Sequence, residues 1–118
     1  MRKILLAAAF FAAGTFAAAA ADIGGTYDVS GTNLDGSKYS GTATITVTTE
    51  NTCRIEWVTG GTTSSGICMR NGPAFSAAYV LGKDIGLVIY EVMDDGTLDG
   101  LWTIADTKGV GTETLTPQ

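Results

Sequence analysis

The stretch NTCRIEWVTGGTTSSGICMR, Asn51 to Arg70, carries both cysteines of the chain, Cys53 and Cys68, on either side of a double glycine. A two-residue hairpin turn of the commonest kind needs positive φ at both central positions, which Gly60-Gly61 can supply. Folding there sets the register outward from the turn: Thr59 faces Thr62, Trp57 faces Ser64, Ile55 faces Gly66 and Cys53 faces Cys68. Directly opposed strand residues have Cα atoms ~4.5–5.5 Å apart, within reach of a disulfide. The segment therefore predicts a β-hairpin stapled by Cys53–Cys68, although a bulge could shift the register by one residue. A redox pair would place its cysteines two residues apart at a helix start, and a zinc clip would need two further ligands. The chain has no histidine and no third cysteine, so neither applies.

The same alternation extends along the chain. In KYSGTATITVTTE, Tyr39, Gly41, Ala43, Ile45 and Val47 share one face, and Ser40, Thr42, Thr44, Thr46 and Thr48 share the other. One face goes to a core and the other meets water. Period-two patterning also predicts strands near Gly25–Thr32, Cys53–Thr59, Thr62–Arg70, Ala74–Leu81, Ile85–Val92, Leu98–Ile104 and Val110–Leu115. Turn chemistry such as Asp35-Gly36, Asn71-Gly72-Pro73, Gly82-Lys83-Asp84 and Asp95-Gly96 separates them. The segments DGSKYSGTATI from Asp35 and DDGTLDGLWTI from Asp94 echo one another as hairpin chemistry.

Eight short strands with tight turns must run antiparallel to their neighbours. They can close into an up-and-down barrel, which removes both exposed edges; a two-sheet sandwich is the alternative. Most of the aromatics Tyr27, Tyr39, Trp57, Phe75, Tyr79, Tyr90 and Trp102 fall on the inward phase. Glycines within the strands, Gly31, Gly41, Gly66 and Gly100, would let the sheet bend and let rings lie over bare backbone.

Ahead of this domain, MRKILLAAAFFAAGTFAAAAAD has charges at Arg2 and Lys3, an apolar run from Ile4 to Phe16, and small residues at Ala19 and Ala21. That is the pattern of a secretory signal peptide, residues 1–21, cut before Asp22, and the run is short of the ~20 residues of a membrane span. A single domain over 22–118 follows, exported to the periplasm or the medium, where a disulfide persists. With Arg2 and Lys3 removed, five basic residues stand against twelve acidic ones, a net charge of −7. Nucleic acid and anionic lipid both require a positive patch, so neither is an expected partner.

Catalytic chemistry has little to build on. Without histidine the commonest general base is missing. The densest carboxylates, Glu91, Asp94, Asp95 and Asp99, surround one hairpin, but a helix-loop-helix calcium loop would need a glutamate where Trp102 stands. No glycine-rich loop follows a strand and opens a helix. The sequence thus predicts no enzyme, no metal and no cofactor. Trp57 and Trp102 fall on the inward phase, where they either plug a narrow barrel or stack on a bound ligand.

GGTYDVSGTNLDGSKYSGTATI near the start and DDGTLDGLWTIADTKGVGTETLTP at the end resemble a family of small secreted bacterial proteins labelled fibronectin-binding proteins. The resemblance rests on Gly25-Thr26-Tyr27, Gly31-Thr32-Asn33, Asp35-Gly36-Ser37, Asp95-Gly96-Thr97-Leu98, Gly100 with Trp102, and Gly111-Thr112-Glu113. It implies a shared fold and a non-enzymatic binding module whose partner is an extracellular matrix protein such as fibronectin. Recognition would then fall to the threonine-rich outer face or to an imperfectly closed barrel edge. Two alternatives stand beside it: a periplasmic inhibitor of a protease or lysozyme, and a carrier of a small apolar ligand held by Trp57 and Trp102. The sequence assigns no oligomeric state.

Overall fold

The structure is a computed structural model that describes residues 22–118; the expected signal peptide, residues 1–21, lies outside the described residues. Eight strands run in chain order: β1 (Gly25–Thr32), β2 (Lys38–Val47), β3 (Thr52–Thr59), β4 (Thr62–Asn71), β5 (Ala74–Leu81), β6 (Asp84–Val92), β7 (Leu98–Ile104) and β8 (Gly111–Pro117). Each pairs antiparallel with the next, and β1 pairs with β8, closing the barrel. The sandwich alternative is thereby excluded. So is an open edge, because β1 and β8 share a register from Tyr27↔Pro117 to Thr32↔Thr112.

The β3–β4 hairpin has the register set by its turn. Thr59 faces Thr62, Trp57 faces Ser64, Ile55 faces Gly66 and Cys53 faces Cys68, without a bulge. Gly60 and Gly61 take φ values of 55° and 79°. Cys53 and Cys68 are disulfide-bonded, with Cα atoms 4.9 Å apart. The echo between the two Asp-Gly segments is shared hairpin chemistry. Asp35 Oδ1 accepts from the Ser37 amide and hydroxyl, and Asp95 Oδ1 accepts in the same way from Thr97. Asn33 N–H donates to Ser37 O at 2.7 Å in one turn and Met93 N–H to Thr97 O at 2.8 Å in the other.

The two ends of the barrel differ. At one end the core is packed with Ile45, the Cys53–Cys68 pair, Phe75, Tyr90, Leu98 and Leu115, all buried. The chain ahead of β1 adds a cover: Ile23 is buried, and its carbonyl accepts from Tyr27 Oη at 2.6 Å. Phe75 stacks on Tyr90 with ring centroids 5.5 Å apart. At the other end, bounded by the β1–β2, β3–β4, β5–β6 and β7–β8 connections, side chains leave space. One expectation fails at the packed end: Val47, in phase with the core and opposite Cys53, is 45% exposed. As the last residue of β2 it has run past the packed part of the barrel.

Glycines set how closely rings can lie on the wall. An added Cβ at Gly31 would meet the Tyr39 ring at 2.6 Å, and one at Gly100 would meet the Tyr90 ring at the same distance. Gly31, Gly41, Gly66 and Gly100 all lie against neighbouring backbone as well: an added Cβ would strike Val58 O at 2.1 Å from Gly41, Ala78 O at 2.0 Å from Gly66, and Thr112 O and Ile89 O at 2.4 Å from Gly31 and Gly100. The sequence reading left out Gly86, where a Cβ would stand 2.1 Å from the Tyr79 ring. Gly86→Ala is therefore expected to displace that ring and cost about 1–3 kcal/mol, the usual penalty of overpacking. Denaturant unfolding with a Tyr79→Ala background as control checks it, because the penalty should shrink once the ring is gone.

Candidate functional site

The site is built around one residue. In β8, Gly111, Glu113 and Leu115 turn inward, and Glu113 is only 6% exposed. Its Oε1 accepts from Tyr39 Oη at 2.6 Å; its Oε2 accepts from Trp57 Nε1 at 2.8 Å and from Tyr90 Oη. Three bonds received suit an ionised carboxylate, which is acceptor-only, and bonds to a charged acceptor are about twice as strong as neutral ones. Every one of these donors is a neutral hydroxyl or indole.

Above Glu113 lies a cavity of about 260 Å³ that opens to solvent at the loosely filled end. Four aromatic residues wall it: Tyr39, Trp57, Tyr79 and Trp102. Trp57 and Tyr79 lie with ring centroids 5.1 Å apart, and Tyr39 meets Trp102 edge-on at 6.2 Å. Tyr79 Oη donates to Thr103 O at 3.2 Å, and Trp102 Nε1 donates to Thr112 O at 3.2 Å. Asn33, Thr59 and Ser64 contribute polar groups toward the opening.

Trp57 and Trp102 therefore share one cavity but have different settings. Trp57 is buried and tied through its indole to Glu113. Trp102 is half-buried and also lines a second recess of about 200 Å³ on the outer wall, with Leu87, Ile89, Leu101 and Val110. Both rings line the space that remains, Trp57 from within the packed core. The sequence reading passed over Glu113, Tyr39, Tyr79 and Tyr90 as site residues. The alternation Gly111, Glu113, Leu115 is the signal that could have found the carboxylate.

The acidic hairpin goes elsewhere. Glu91 faces Asp99 across β6 and β7, Asp95 closes its own turn, and Asp99 accepts from Thr114 Oγ1 at 3.2 Å. None of these carboxylates lines the cavity. Among the described residues no group of three or more metal-ligating side chains gathers.

Burial beside the Glu113 carboxylate also keeps the phenols protonated. Burial, then the Glu113 charge, pushes Tyr79 up to about 12 from an ordinary 10.0. The same causes in the same order raise Tyr39, and raise Tyr90 well above the usual phenol range. In the unfolded chain tyrosines ionise near 10, so above that pH the folded state holds more protons than the unfolded one and stability falls. Their contribution is complete below pH ~10 and lost as pH rises through the folded values. Chemical denaturation between pH 8 and 12 should show this fall, with tyrosinate absorbance at Tyr79 and Tyr90 lagging that of free tyrosine.

The fold and the cavity define an eight-stranded antiparallel barrel with one packed end and one open end. No protein-family model and no curated protein matches the chain. Solved structures do match it. A redesigned β-barrel, b11L5F_LGL, aligns at 19% identity over 81% of this chain and 91% of its own, with a TM-score of 0.69. A second redesigned barrel, mFAP1, bound to DFHBI, aligns at 19% identity over 80% and 94%, with a TM-score of 0.68. A de novo designed fluorescence-activating β-barrel aligns at 14% identity over 80% and 93%, with a TM-score of 0.65. These likenesses show a common barrel fold.

Proposed function

We propose that this protein is a non-enzymatic binding module that takes one small ligand into the open end of its barrel. The observation that carries this is the cavity of about 260 Å³, walled by Tyr39, Trp57, Tyr79 and Trp102 with the Glu113 carboxylate at its base. An eight-stranded barrel has an interior that side chains fill or that holds one small ligand, and here they leave space. Mostly aromatic walls with a few placed polar groups are the usual make-up of ligand sites. Barrels of the same fold support the reading: one is bound to DFHBI and another is fluorescence-activating. A binding role without catalysis is favoured by the site's chemistry. Its phenols are held neutral at ordinary pH, Glu113 Oε2 is occupied by two donors, and no second carboxylate lines the cavity.

The test is titration of small aromatic compounds followed by tryptophan emission and calorimetry. Binding should be saturable at one site per chain and should vanish in Ser64→Trp, which fills the cavity from the β4 wall. Titration without saturation, or binding unchanged in Ser64→Trp, would overturn the reading.

Recognition of an extracellular matrix protein such as fibronectin, the role implied by the family resemblance, is a second reading. The closed barrel leaves it no free strand edge, so it would fall to the outer wall. That wall is one-sided. On β4 to β7, Ile67, Met69, Val80, Ile85, Leu87 and Ile89 are all more than half exposed, in adjacent rows such as Met69↔Ser76↔Ile89↔Leu101. On β1, β2 and β8, threonines, serines and Asp28 face outward instead. A membrane-spanning barrel carries an apolar band all round, whereas a one-sided apolar tract suits a protein partner. Immobilised fibronectin should then retain the oxidised protein saturably, and Leu87→Lys with Ile89→Lys should abolish retention; no retention would remove this reading.

A further inference from the structure

Resting on the small-ligand reading of the cavity, we infer that its ligand carries a protonated nitrogen on an aromatic or apolar body. Glu113 receives the N–H, and the rings of Trp57, Tyr79, Tyr39 and Trp102 hold the body. Four features converge on that chemistry. Glu113 is a buried anion whose hydrogen bonds all come from neutral donors, so its charge is solvated but not neutralised by them. A carboxylate has about four lone-pair sites. Three are used here, and Oε1 receives Tyr39 alone among side chains, which leaves it an acceptor for a ligand N–H.

The walls act in the same direction. Aromatic faces carry negative potential and attract a cation, more so where water is excluded. The cavity places two such pairs, Trp57 with Tyr79 and Tyr39 with Trp102, around the carboxylate. No lysine or arginine lines it, so an anionic ligand would meet Glu113 without a counter-charge.

The experiment compares three compounds of nearly one shape on the wild-type protein by calorimetry: 2-phenylethylammonium, 2-phenylethanol and phenylacetate. The ammonium should bind at least about tenfold more tightly than the alcohol, because both can donate to the carboxylate but only the ammonium neutralises it, and phenylacetate should bind weakest. In Glu113→Gln, with folding verified by circular dichroism, the preference for the ammonium should shrink to within about threefold. Equal or tighter binding of the alcohol or phenylacetate to wild type would overturn the ligand class and leave the cavity reading standing. Failure of all three to bind would overturn both. The wild-type comparison needs no variant, so poor folding of Glu113→Gln would not protect the proposal.

Discussion

Glu113→Ala is expected to destabilise the barrel by about 2–4 kcal/mol, because it strands three donors at once. Trp57 Nε1 and Tyr90 Oη give their hydrogen bonds to this one carboxylate, and Tyr39 Oη donates there at 2.6 Å with Thr112 O a longer second acceptor at 3.4 Å. An unsatisfied buried donor costs about 1–3 kcal/mol, so three of them would cost about 3–9 kcal/mol. Two effects reduce it. Removing the carboxylate also removes the desolvation penalty of a buried charge, and water can follow the open cavity down to Tyr39. For a domain of this size the loss should lower Tm by roughly 8–32 °C, readable by calorimetry.

A companion variant separates structure from binding. Replacing a buried charged network by apolar groups of similar shape is often neutral or stabilising, whereas breaking it from one side is not. Glu113→Leu combined with Tyr39→Phe and Tyr90→Phe should therefore recover part of the lost stability, with Trp57 Nε1 still lacking its acceptor, while losing the selectivity for protonated amines. Recovery would mean that the network is kept for what it binds. A triple variant less stable than Glu113→Ala would assign the network to the fold instead.

The strands, turns and staple were readable because their determinants are local. Asp35-Gly36-Ser37 and Asp95-Gly96-Thr97 carry their own hydrogen bonds within three residues, and Gly60-Gly61 sets the β3–β4 register by itself. Barrel and sandwich share the same alternation, so only the β1–β8 pairing, between residues as far apart as Tyr27 and Pro117, distinguishes them. The cavity was harder to read for a related reason. Whether Trp57 and Trp102 fill the barrel or line a space depends on volumes gathered from all eight strands, including the room left by Gly86 and by Gly111, against which Trp102 lies. Glu113 shows the bias of composition. In a chain with twelve acidic residues any one of them reads as solvated, and only its phase between Gly111 and Leu115 marks Glu113 as inward.

Removing the disulfide by Cys53→Ala with Cys68→Ala should cost about 3 kcal/mol, the loop-entropy value for a cross-link of this span, and lower Tm by roughly 12–24 °C. The separation is 15 residues, and both cysteines are buried at the packed end. Cys53→Ser with Cys68→Ser should lose about 1–2 kcal/mol more, since two hydroxyls would enter an apolar setting without partners. The folded variants should nevertheless bind ligand as the parent does, because the cross-link and the cavity lie toward opposite ends of the barrel. Far-ultraviolet circular dichroism below the melting range should also be unchanged, as the Gly60-Gly61 turn and the facing pairs Ile55↔Gly66 and Trp57↔Ser64 hold the register without a covalent tie. A measured loss under about 1 kcal/mol would locate the difference in the unfolded chain. A β3–β4 hairpin that persists there already brings Cys53 and Cys68 together, and a cross-link then removes little further entropy.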